Sequence, residues 1–183
     1  MIIVMGIPGA GKTSMLEGSK KFLPEWKMLN YGDLMFEIAS KEKLASNRDE
    51  MRKMPVENQK KVQKLVAQAL ASETGKLILD THCSIYGKRG YLPGLPFELL
   101  KEFKVEQLVL VLAPEEDIIR RRKEDTTRIR DQQSAKDIAN MIIMNRAFLC
   151  AYSAFTGAPA QVVMNGDGKL EEAVGKFVEV VKG

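Results

Sequence analysis

Short apolar runs alternate along the chain with segments in which apolar residues recur every three or four positions. The runs have the length and continuity of strands that are buried on both faces. They cover residues 2–5, 26–30, 77–81, 108–113 and 161–164. The spacing between them predicts helices over residues 14–21, 34–44, 55–74, 97–103, 114–123, 134–156 and 170–181. This alternation predicts an α/β fold in which helices cover both faces of a five-stranded parallel sheet.

Two segments show neither pattern. Residues 47–54 are rich in charged side chains, and residues 87–96 contain three glycines and two prolines. We expect both segments to be irregular, with Pro55 restarting the chain as the first residue of a helix.

Several predicted strands are followed at their carboxyl ends by polar or loop-forming residues. These segments are residues 6–13, 31–33 and 80–82, and Pro114 follows the fourth strand. The carboxyl ends of parallel strands meet at one edge of a sheet, where ligands bind in open α/β folds. We therefore expect the scattered segments to form one site.

Residues 6–13 match the pattern Gly-x-x-x-x-Gly-Lys-Ser/Thr at every fixed position, directly after the first predicted strand. Its glycines let the backbone approach a ligand closely, so that successive N–H groups can turn onto phosphate oxygens. Lys12 can place its charge on the β- and γ-phosphates, and the Thr13 hydroxyl suits a ligand position on Mg²⁺. The alternative is a glycine turn with an accidental Lys-Thr, which the preceding strand disfavours. The residues expected to bind a nucleoside triphosphate are Gly6, Ile7, Pro8, Gly9, Ala10, Gly11, Lys12, Thr13 and Ser14.

Asp80 ends the third apolar run, which is the position of a Walker B carboxylate. There it is expected to hold Mg²⁺ beside Thr13, directly or through a water molecule. The alternative is an aspartate that caps the following turn.

Arginines cluster after the fourth predicted strand, at residues 120–122 and again at Arg128 and Arg130. Phosphoryl transfer needs positioned cations, and guanidinium groups bind phosphate oxygens bidentately. Successive helical residues point ~100° apart, so the three consecutive arginines cannot all face one site. The polar segment around residues 124–131 resembles a small lid, although an exposed, cation-rich helix end is the alternative.

Other polar residues leave two interpretations open. Asn145 lies on an apolar helical stripe with Arg146 beside it, so it either satisfies backbone groups in the core or faces the nucleotide. His82 follows the predicted metal carboxylate and is either structural or part of the site. Arg48 and Arg52 could reach a second phosphate or be solvated charges.

Composition limits the classes of protein that fit. With 183 residues, of which 45% are hydrophobic, the chain is expected to form one domain. Its net charge of +4 is weaker than the bias of most nucleic-acid-binding proteins, so no nucleic-acid partner is expected. No continuous apolar run is long enough to span a membrane, and the chain enters the first strand directly, so neither a membrane span nor a signal peptide is expected. Two cysteines give no disulfide framework, which favours the cytoplasm.

Taken together, these motifs resemble an archaeal-type adenylate kinase, a P-loop nucleoside monophosphate kinase. The similarity extends over nearly the whole chain. Besides the P-loop, it is carried by residues 30–33, 48–53, 80–82, 90–96 and 125–130.

The resemblance implies a P-loop three-layer sandwich and the Mg²⁺-dependent reaction ATP + AMP ⇌ 2 ADP. It also implies an AMP-binding helical segment at about residues 33–74, a lid at about residues 124–131, and assembly as a homotrimer. The residues matched to positions around the phosphates are Lys12, Arg121, Arg128, Arg130 and Arg146.

On the AMP side, Arg52 and His82 match motif positions near the monophosphate. Phe36 stands where bacterial adenylate kinases have an arginine, so Arg52 is expected to hold the AMP phosphate instead. The alternative function is that of another small P-loop kinase with a different monophosphate or metabolite as acceptor. A nucleotide switch of the small GTPase class would need a guanine-reading Asn-Lys-x-Asp motif after a late strand. Residues 113–117 do not contain this motif, which disfavours that class.

Overall fold

The computed structural model of the chain describes residues 1–87, 90–125 and 134–183, and for Arg52 the backbone alone. The strands within these ranges are β1 (Ile2–Gly6), β2 (Trp26–Asn30), β3 (Lys76–His82), β4 (Ser84–Gly87), β5 (Gly90–Pro93), β6 (Gln107–Leu112) and β7 (Ala160–Met164). The α-helices are α1 (Lys12–Ser19), α2 (Tyr31–Lys41), α3 (Arg48–Lys53), α4 (Val56–Ala71), α5 (Phe97–Leu100), α6 (Glu115–Glu124), α7 (Ala135–Thr156) and α8 (Leu170–Lys182).

The predicted five-stranded parallel sheet is confirmed, with strand order β2-β3-β1-β6-β7. All five residues of the central strand β1 are buried, as are five of the six residues of β6. Burial of successive residues means that both faces of the sheet are covered, which explains the continuous apolar runs. Helices α1 and α8 pack together, as do α2 with α4 and α6 with α7.

The register of the sheet brings the strand ends together at one edge. Asn30 at the end of β2 lies opposite Asp80 on β3, and Gly6 at the end of β1 lies opposite His82. On its other side, Gly6 pairs with Val111 of β6. The expectation that the polar segments gather at one edge is therefore confirmed for these residues.

Helix α2 begins at Tyr31, three residues before the predicted start. The side chain of Asn30 is the reason, since its Oδ1 accepts a hydrogen bond from the Asp33 N–H at 3.0 Å and caps the helix. The polar segment predicted between strand and helix, residues 31–33, is the first turn of the helix itself.

The prediction that residues 47–54 are irregular is wrong, because most of them form α3. Asn47 caps this helix by accepting hydrogen bonds from the N–H groups of Asp49 and Glu50, at 3.1 and 2.9 Å. Pro55 is likewise the residue before α4 rather than its first residue.

The prediction of an irregular loop at residues 87–96 is also wrong in part. β4 and β5 form an antiparallel hairpin in a separate two-stranded sheet. The rings of Tyr86 and Tyr91 face each other across it, with centroids 4.9 Å apart, and such cross-strand aromatic pairs stabilise hairpins.

Helix α7 is long and apolar enough, by length and composition alone, to cross a membrane, which the sequence analysis did not anticipate. One such helix is weak evidence for a span, because core helices pass the same test. One face of α7 packs into the core through Ile138, Met141, Leu149 and Tyr152.

Replacing Gly94 with alanine should destabilise the fold, because a Cβ at this position would collide with the carbonyl oxygen of His82. The Gly94 N–H also donates to the carbonyl of Cys83 at 3.0 Å, so the two backbone segments lie side by side. We expect the free energy of unfolding to fall by ~1–3 kcal/mol, as at overpacked sites, measured by urea denaturation.

The matched control is Gly175→Ala in α8, where no atom lies within 4 Å of an added Cβ. Alanine there should raise the free energy of unfolding by about 0.5–1 kcal/mol, because it favours the helix. Equal effects from the two substitutions would contradict the close approach at Gly94.

Candidate active site

The predicted phosphate loop is the turn between β1 and α1, and two glycines give it its shape. Gly9 and Gly11 have φ angles of 93° and 76°, in the left-handed region that other residues rarely adopt. Gly11 is the cap residue of α1, so the helix begins at Lys12. The positive end of the helix dipole therefore lies at the loop, where it favours anions.

Gly6 is required for a different reason, which is the space taken by Lys12. A Cβ at residue 6 would lie 3.2 Å from Lys12 Cδ and 3.2 Å from the carbonyl oxygen of Val111. The stem of the lysine therefore crosses directly over Gly6. A side chain at this position would push the ammonium group away from the end of the sheet.

Lys12 forms an ion pair with Asp80, and both side chains are largely buried, with exposed fractions of 12% and 15%. Burial lowers the pKa of Lys12 to about 8, since desolvation disfavours the charged ammonium. The adjacent carboxylate acts in the opposite direction and favours the charged form. Lys12 therefore remains a cation at neutral pH.

The second oxygen of the Asp80 carboxylate is held from β2. Asn30 Nδ2 donates a hydrogen bond to Asp80 Oδ2 at 2.8 Å. With the ammonium of Lys12 at Oδ1, both oxygens have a polar partner and the carboxylate has a fixed orientation.

The residues at this edge fit a magnesium ion that is held mainly by a nucleotide. Asp80 already lies beside a cation, the Lys12 ammonium, and Thr13 lies exposed in the first turn of α1. Across residues 1–87, 90–125 and 134–183, no three His, Cys, Asp or Glu side chains cluster as a metal site. Mg²⁺ is typically bound through one or two protein oxygens, with water and substrate phosphates completing its shell. This donor set therefore suits Mg²⁺ bound together with a triphosphate.

Asn165, which directly follows β7, attaches the far side of the sheet to the phosphate loop. Its side chain is buried, and Nδ2 donates to the carbonyl oxygens of Ala10 and Gly11, both at 3.1 Å. Its own N–H donates to the carbonyl of Leu112 at 2.7 Å, which continues the sheet beyond β7. Gly11 has no room for a Cβ, because Asn165 Nδ2 occupies that space.

Two arginines of α6 bind the neighbouring carbonyls of the loop. Arg121 donates to the carbonyl oxygens of Gly9 and Asn165 at 3.2 and 3.0 Å, and to Asp167 Oδ1 at 2.8 Å. Arg122 Nε donates to the carbonyl oxygen of Pro8 at 2.8 Å. Together with Asn165, these side chains bind the carbonyls of residues 8–11, and we call the three of them the carbonyl clamp.

The carbonyl clamp fixes the direction of the loop's N–H groups. In a trans peptide the C=O of one residue and the N–H of the next point in opposite directions. Carbonyls directed at α6 and Asn165 therefore leave the N–H groups of residues 9, 11 and 12 directed away from them, while the Ala10 N–H closes the turn by donating to the Ile7 carbonyl at 3.1 Å. This orientation makes the loop an anion-binding concavity.

Arg120 does not join the clamp. Its side chain is half exposed and pairs with Asp117, Glu124 and Asp167. This agrees with the expectation that the three consecutive arginines cannot all face the site.

For Asn145 the structure favours the core interpretation. The residue is buried, and its Nδ2 donates to the carbonyl oxygen of Met141 one turn earlier, at 2.7 Å. The thiol of Cys83 donates to the Asn145 carbonyl at 3.2 Å, and burial raises the pKa of that thiol to about 12. Arg146 beside it is exposed on α7.

The remaining predicted site residues lie in different places. His82 is exposed at the end of β3, opposite Gly6. Arg52 lies on α3, and its side chain falls outside the described residues. Arg128 and Arg130 lie outside the described ranges.

Comparison with known proteins identifies the family of the chain. The protein named Adenylate kinase from Methanopyrus kandleri is 42% identical over 186 residues, with 100% of this chain and 97% of the relative covered. The Adenylate kinase from Methanocaldococcus jannaschii is 40% identical over 188 residues, with 100% and 98% covered. The chain belongs to the adenylate kinase family. A family model described as an AAA domain also matches residues 5–139.

In its fold, this adenylate kinase family member is similar to solved structures of small P-loop kinases. A shikimate kinase from Acinetobacter baumannii superposes with a TM-score of 0.58 at 16% identity, covering 99% of this chain and 92% of its own. A gluconokinase from Sinorhizobium meliloti gives 0.54 at 13% identity, covering 99% and 90%. At these identities the likeness shows the fold alone, and it confirms the predicted P-loop kinase architecture.

Two asparagines at the site of this adenylate kinase family member, Asn30 and Asn165, are not among the residues predicted from the sequence. Asn30 is the last residue of β2 and Asn165 directly follows β7, and a strand-end position is the same signal that identified Asp80. The sequence pattern places Asn30 in the second strand and Asn165 in a turn, where asparagine is common, so neither is predicted as a site residue.

Replacing Asn165 with alanine should weaken ATP binding and lower stability together. The change removes two donors to loop carbonyls, and leaving buried polar groups unpaired costs ~1–3 kcal/mol. We expect a lower Tm in thermal unfolding and a higher Kd for ATP by isothermal titration calorimetry.

Asn140→Ala is the matched control, since Asn140 is exposed on α7; it should leave the ATP affinity unchanged and should not lower Tm, because alanine favours the helix. An Asn165→Ala protein with the Tm and the ATP affinity of the wild type would show that the loop keeps its shape without this side chain.

Proposed function

We propose that the chain is an adenylate kinase that catalyses reversible Mg²⁺-dependent phosphoryl transfer, ATP + AMP ⇌ 2 ADP. One observation carries the proposal: relatives named Adenylate kinase match the chain along its full length at about 40% identity. By this function the chain would maintain the balance of adenine nucleotides. Its relatives of this name come from methanogenic archaea, which supports an archaeal-type enzyme.

The geometry of the P-loop supports the ATP half of the site. The Lys12 ammonium is buried beside Asp80 and carries its charge at neutral pH. Phosphate oxygens of bound ATP would replace Asp80 as the partner of Lys12, while the loop N–H groups bind the β-phosphate. Thr13 and Asp80 are the residues proposed to hold Mg²⁺, with Asp80 acting through a water molecule. The metal would neutralise phosphate charge when bound.

In the reaction, an oxygen of the AMP phosphate attacks the γ-phosphorus of ATP. The bond from that phosphorus to the β–γ bridging oxygen breaks, and both nucleotides leave as ADP. Negative charge spreads over the transferred group, so positioned cations stabilise the transition state. The residues proposed for this role are Lys12, Arg121, Arg128, Arg130 and Arg146. Of the arginines, Arg121 contacts the loop through the Gly9 carbonyl.

The acceptor half is proposed to lie in residues 33–74, with Arg52 and His82 near the AMP phosphate. Helices α2, α3 and α4 belong to this segment, and α2 contacts both of the others. Residues 124–131 are proposed to close over ATP, because an open site would lose the phosphoryl group to water. ATP hydrolysis that is equally fast with and without AMP would count against this closure.

We further propose that the chain forms a homo-oligomer, a trimer by the family resemblance. The β4–β5 hairpin supports an interface, because Ile85, Tyr86 and Leu92 are 51%, 63% and 58% exposed, and exposed apolar patches mark interaction sites. Light scattering that gives only the monomer mass would rule out this assembly.

The proposal includes a cytoplasmic location without a membrane or nucleic-acid partner. The net charge of +4 and the two free cysteines are consistent with it. Salt-sensitive RNA binding that persists in Lys12→Ala would contradict the nucleic-acid part.

An acceptor panel tests the proposed reaction. With ATP and Mg²⁺, we expect rapid ADP formation with AMP and slow formation with CMP, UMP, shikimate or gluconate. Because the fold is shared by kinases of different acceptors, equal rates with another acceptor would favour the alternative of a different small P-loop kinase. Lys12→Ala should lower kcat by ~10³-fold or more, which assigns the measured activity to this site.

The activity should also depend on the charge of Lys12. Since the pKa of Lys12 is lowered to about 8, rising pH removes the ammonium charge in the free enzyme over a range where an ordinary lysine keeps it. We expect kcat/KM for ATP to fall on the alkaline side with an apparent pKa near 8, because kcat/KM reports ionisations of the free enzyme.

Asp80→Asn provides the comparison for this profile. Without the carboxylate, the charged ammonium loses a stabilising partner, so the alkaline fall of the residual activity should move to lower pH. A profile that is flat through alkaline pH would show that Lys12 keeps its proton.

A further inference from the structure

The side-chain amide of Asn30 makes two hydrogen bonds in different directions. Its Oδ1 accepts from the Asp33 N–H at 3.0 Å, which caps α2. Its Nδ2 donates to Asp80 Oδ2 at 2.8 Å, across the β2–β3 pair. One planar group therefore contacts both the start of α2 and the carboxylate proposed to hold the metal.

These two bonds fix the orientation of the amide. An amide oxygen only accepts and an amide nitrogen only donates, so a flipped Asn30 would lose both partners. Asp80 is held in turn, because its other oxygen lies at the Lys12 ammonium. When Lys12 turns to a bound phosphate, Asn30 remains as the contact that keeps the carboxylate in place.

Beyond α2 the contacts continue but become exposed. Asp33 pairs with Arg48, whose guanidinium lies 5.6 Å from the centre of the Phe36 ring. The Arg48 and Asp33 side chains are 51% and 64% exposed, and exposed pairs of this kind contribute little. The contacts that orient Asp80 therefore end at the first turn of α2.

We infer that Asn30 is a positioning residue for the phosphoryl-transfer site: its amide holds the Asp80 carboxylate in the orientation needed to receive Mg²⁺ with ATP. The inference rests on the proposed function for the identity of the reaction. Groups that orient a metal-binding carboxylate in this way typically affect metal affinity or activity by about 10–100-fold when removed. The helix cap is a separate, structural contribution of the same side chain.

Two substitutions separate these contributions. Asn30→Ser keeps an N-cap, because serine caps helices about as well as asparagine, but its shorter side chain does not reach Asp80. Asn30→Ala removes both the cap and the bond to Asp80. Asn140→Ser, on the exposed face of α7, is the control for the same chemical change.

Positioning of Asp80 predicts that both Asn30 variants lose metal-dependent function, while the alanine variant, which also loses the helix cap, has the lower Tm of the two. We expect the Mg²⁺ concentration for half-maximal ADP formation to rise, or kcat to fall, by about 10–100-fold in Asn30→Ser. Calorimetry should show weaker binding of ATP with Mg²⁺ and unchanged binding of ATP in excess EDTA. Asn140→Ser should match the wild type throughout.

A purely structural role predicts the opposite pattern, in which Asn30→Ser matches the wild type in kinetics and calorimetry, and that result would overturn the inference. Equal weakening of ATP binding with and without Mg²⁺ would also overturn it, since Asn30 would then support the loop rather than the carboxylate. If the wild type forms no ADP from AMP, the proposed reaction fails. The calorimetric comparison would still decide the role of Asn30.

Discussion

A buried ion pair between Lys12 and Asp80 links the first turn of α1 to β3 at the edge where the site lies. Removing both charges from water is expensive, and burial lowers the pKa of Lys12 to about 8. A pair of this kind contributes little to stability by itself. The pair is important because a ligand can replace it. Bound triphosphate with a divalent cation would give Lys12 the phosphates and Asp80 the cation as stronger partners.

Two asparagines support this pair from opposite ends of the sheet. Asn30, on the edge strand β2, orients the acidic member. Asn165, just beyond the other edge strand β7, orients the loop that precedes the basic member. Neither residue carries charge: Asn30 acts through both the nitrogen and the oxygen of its amide, and Asn165 through its amide nitrogen. The positions of the charged groups in the site thus depend on neutral side chains that hold them.

Features that depend on local interactions could be predicted from the sequence, whereas features that depend on contacts between distant parts of the chain could not. The sheet, the P-loop and Asp80 could be predicted, because burial on both faces and a strand-end position leave local patterns. Helix α3 was missed although Asn47 is followed three residues later by Glu50, a recognisable capping signature. The strand-end position of Asn165 does not reveal its role, since its hydrogen-bond partners are more than 150 residues away. Contacts at that separation depend on the register of the whole sheet, which single-residue patterns do not encode.

The length of that separation has a consequence for the order in which the chain folds. The P-loop motif is synthesised well before the residues that orient it, since Asn165 lies 154 residues beyond Gly11 and α6 comes more than a hundred residues after the loop. Contacts between such distant segments form only after a large entropic cost of loop closure has been met. A nascent chain therefore displays the motif long before it has the geometry that binds phosphate. Nucleotide cannot assist the early steps of folding, and it can stabilise the protein only after the last strand has joined the sheet.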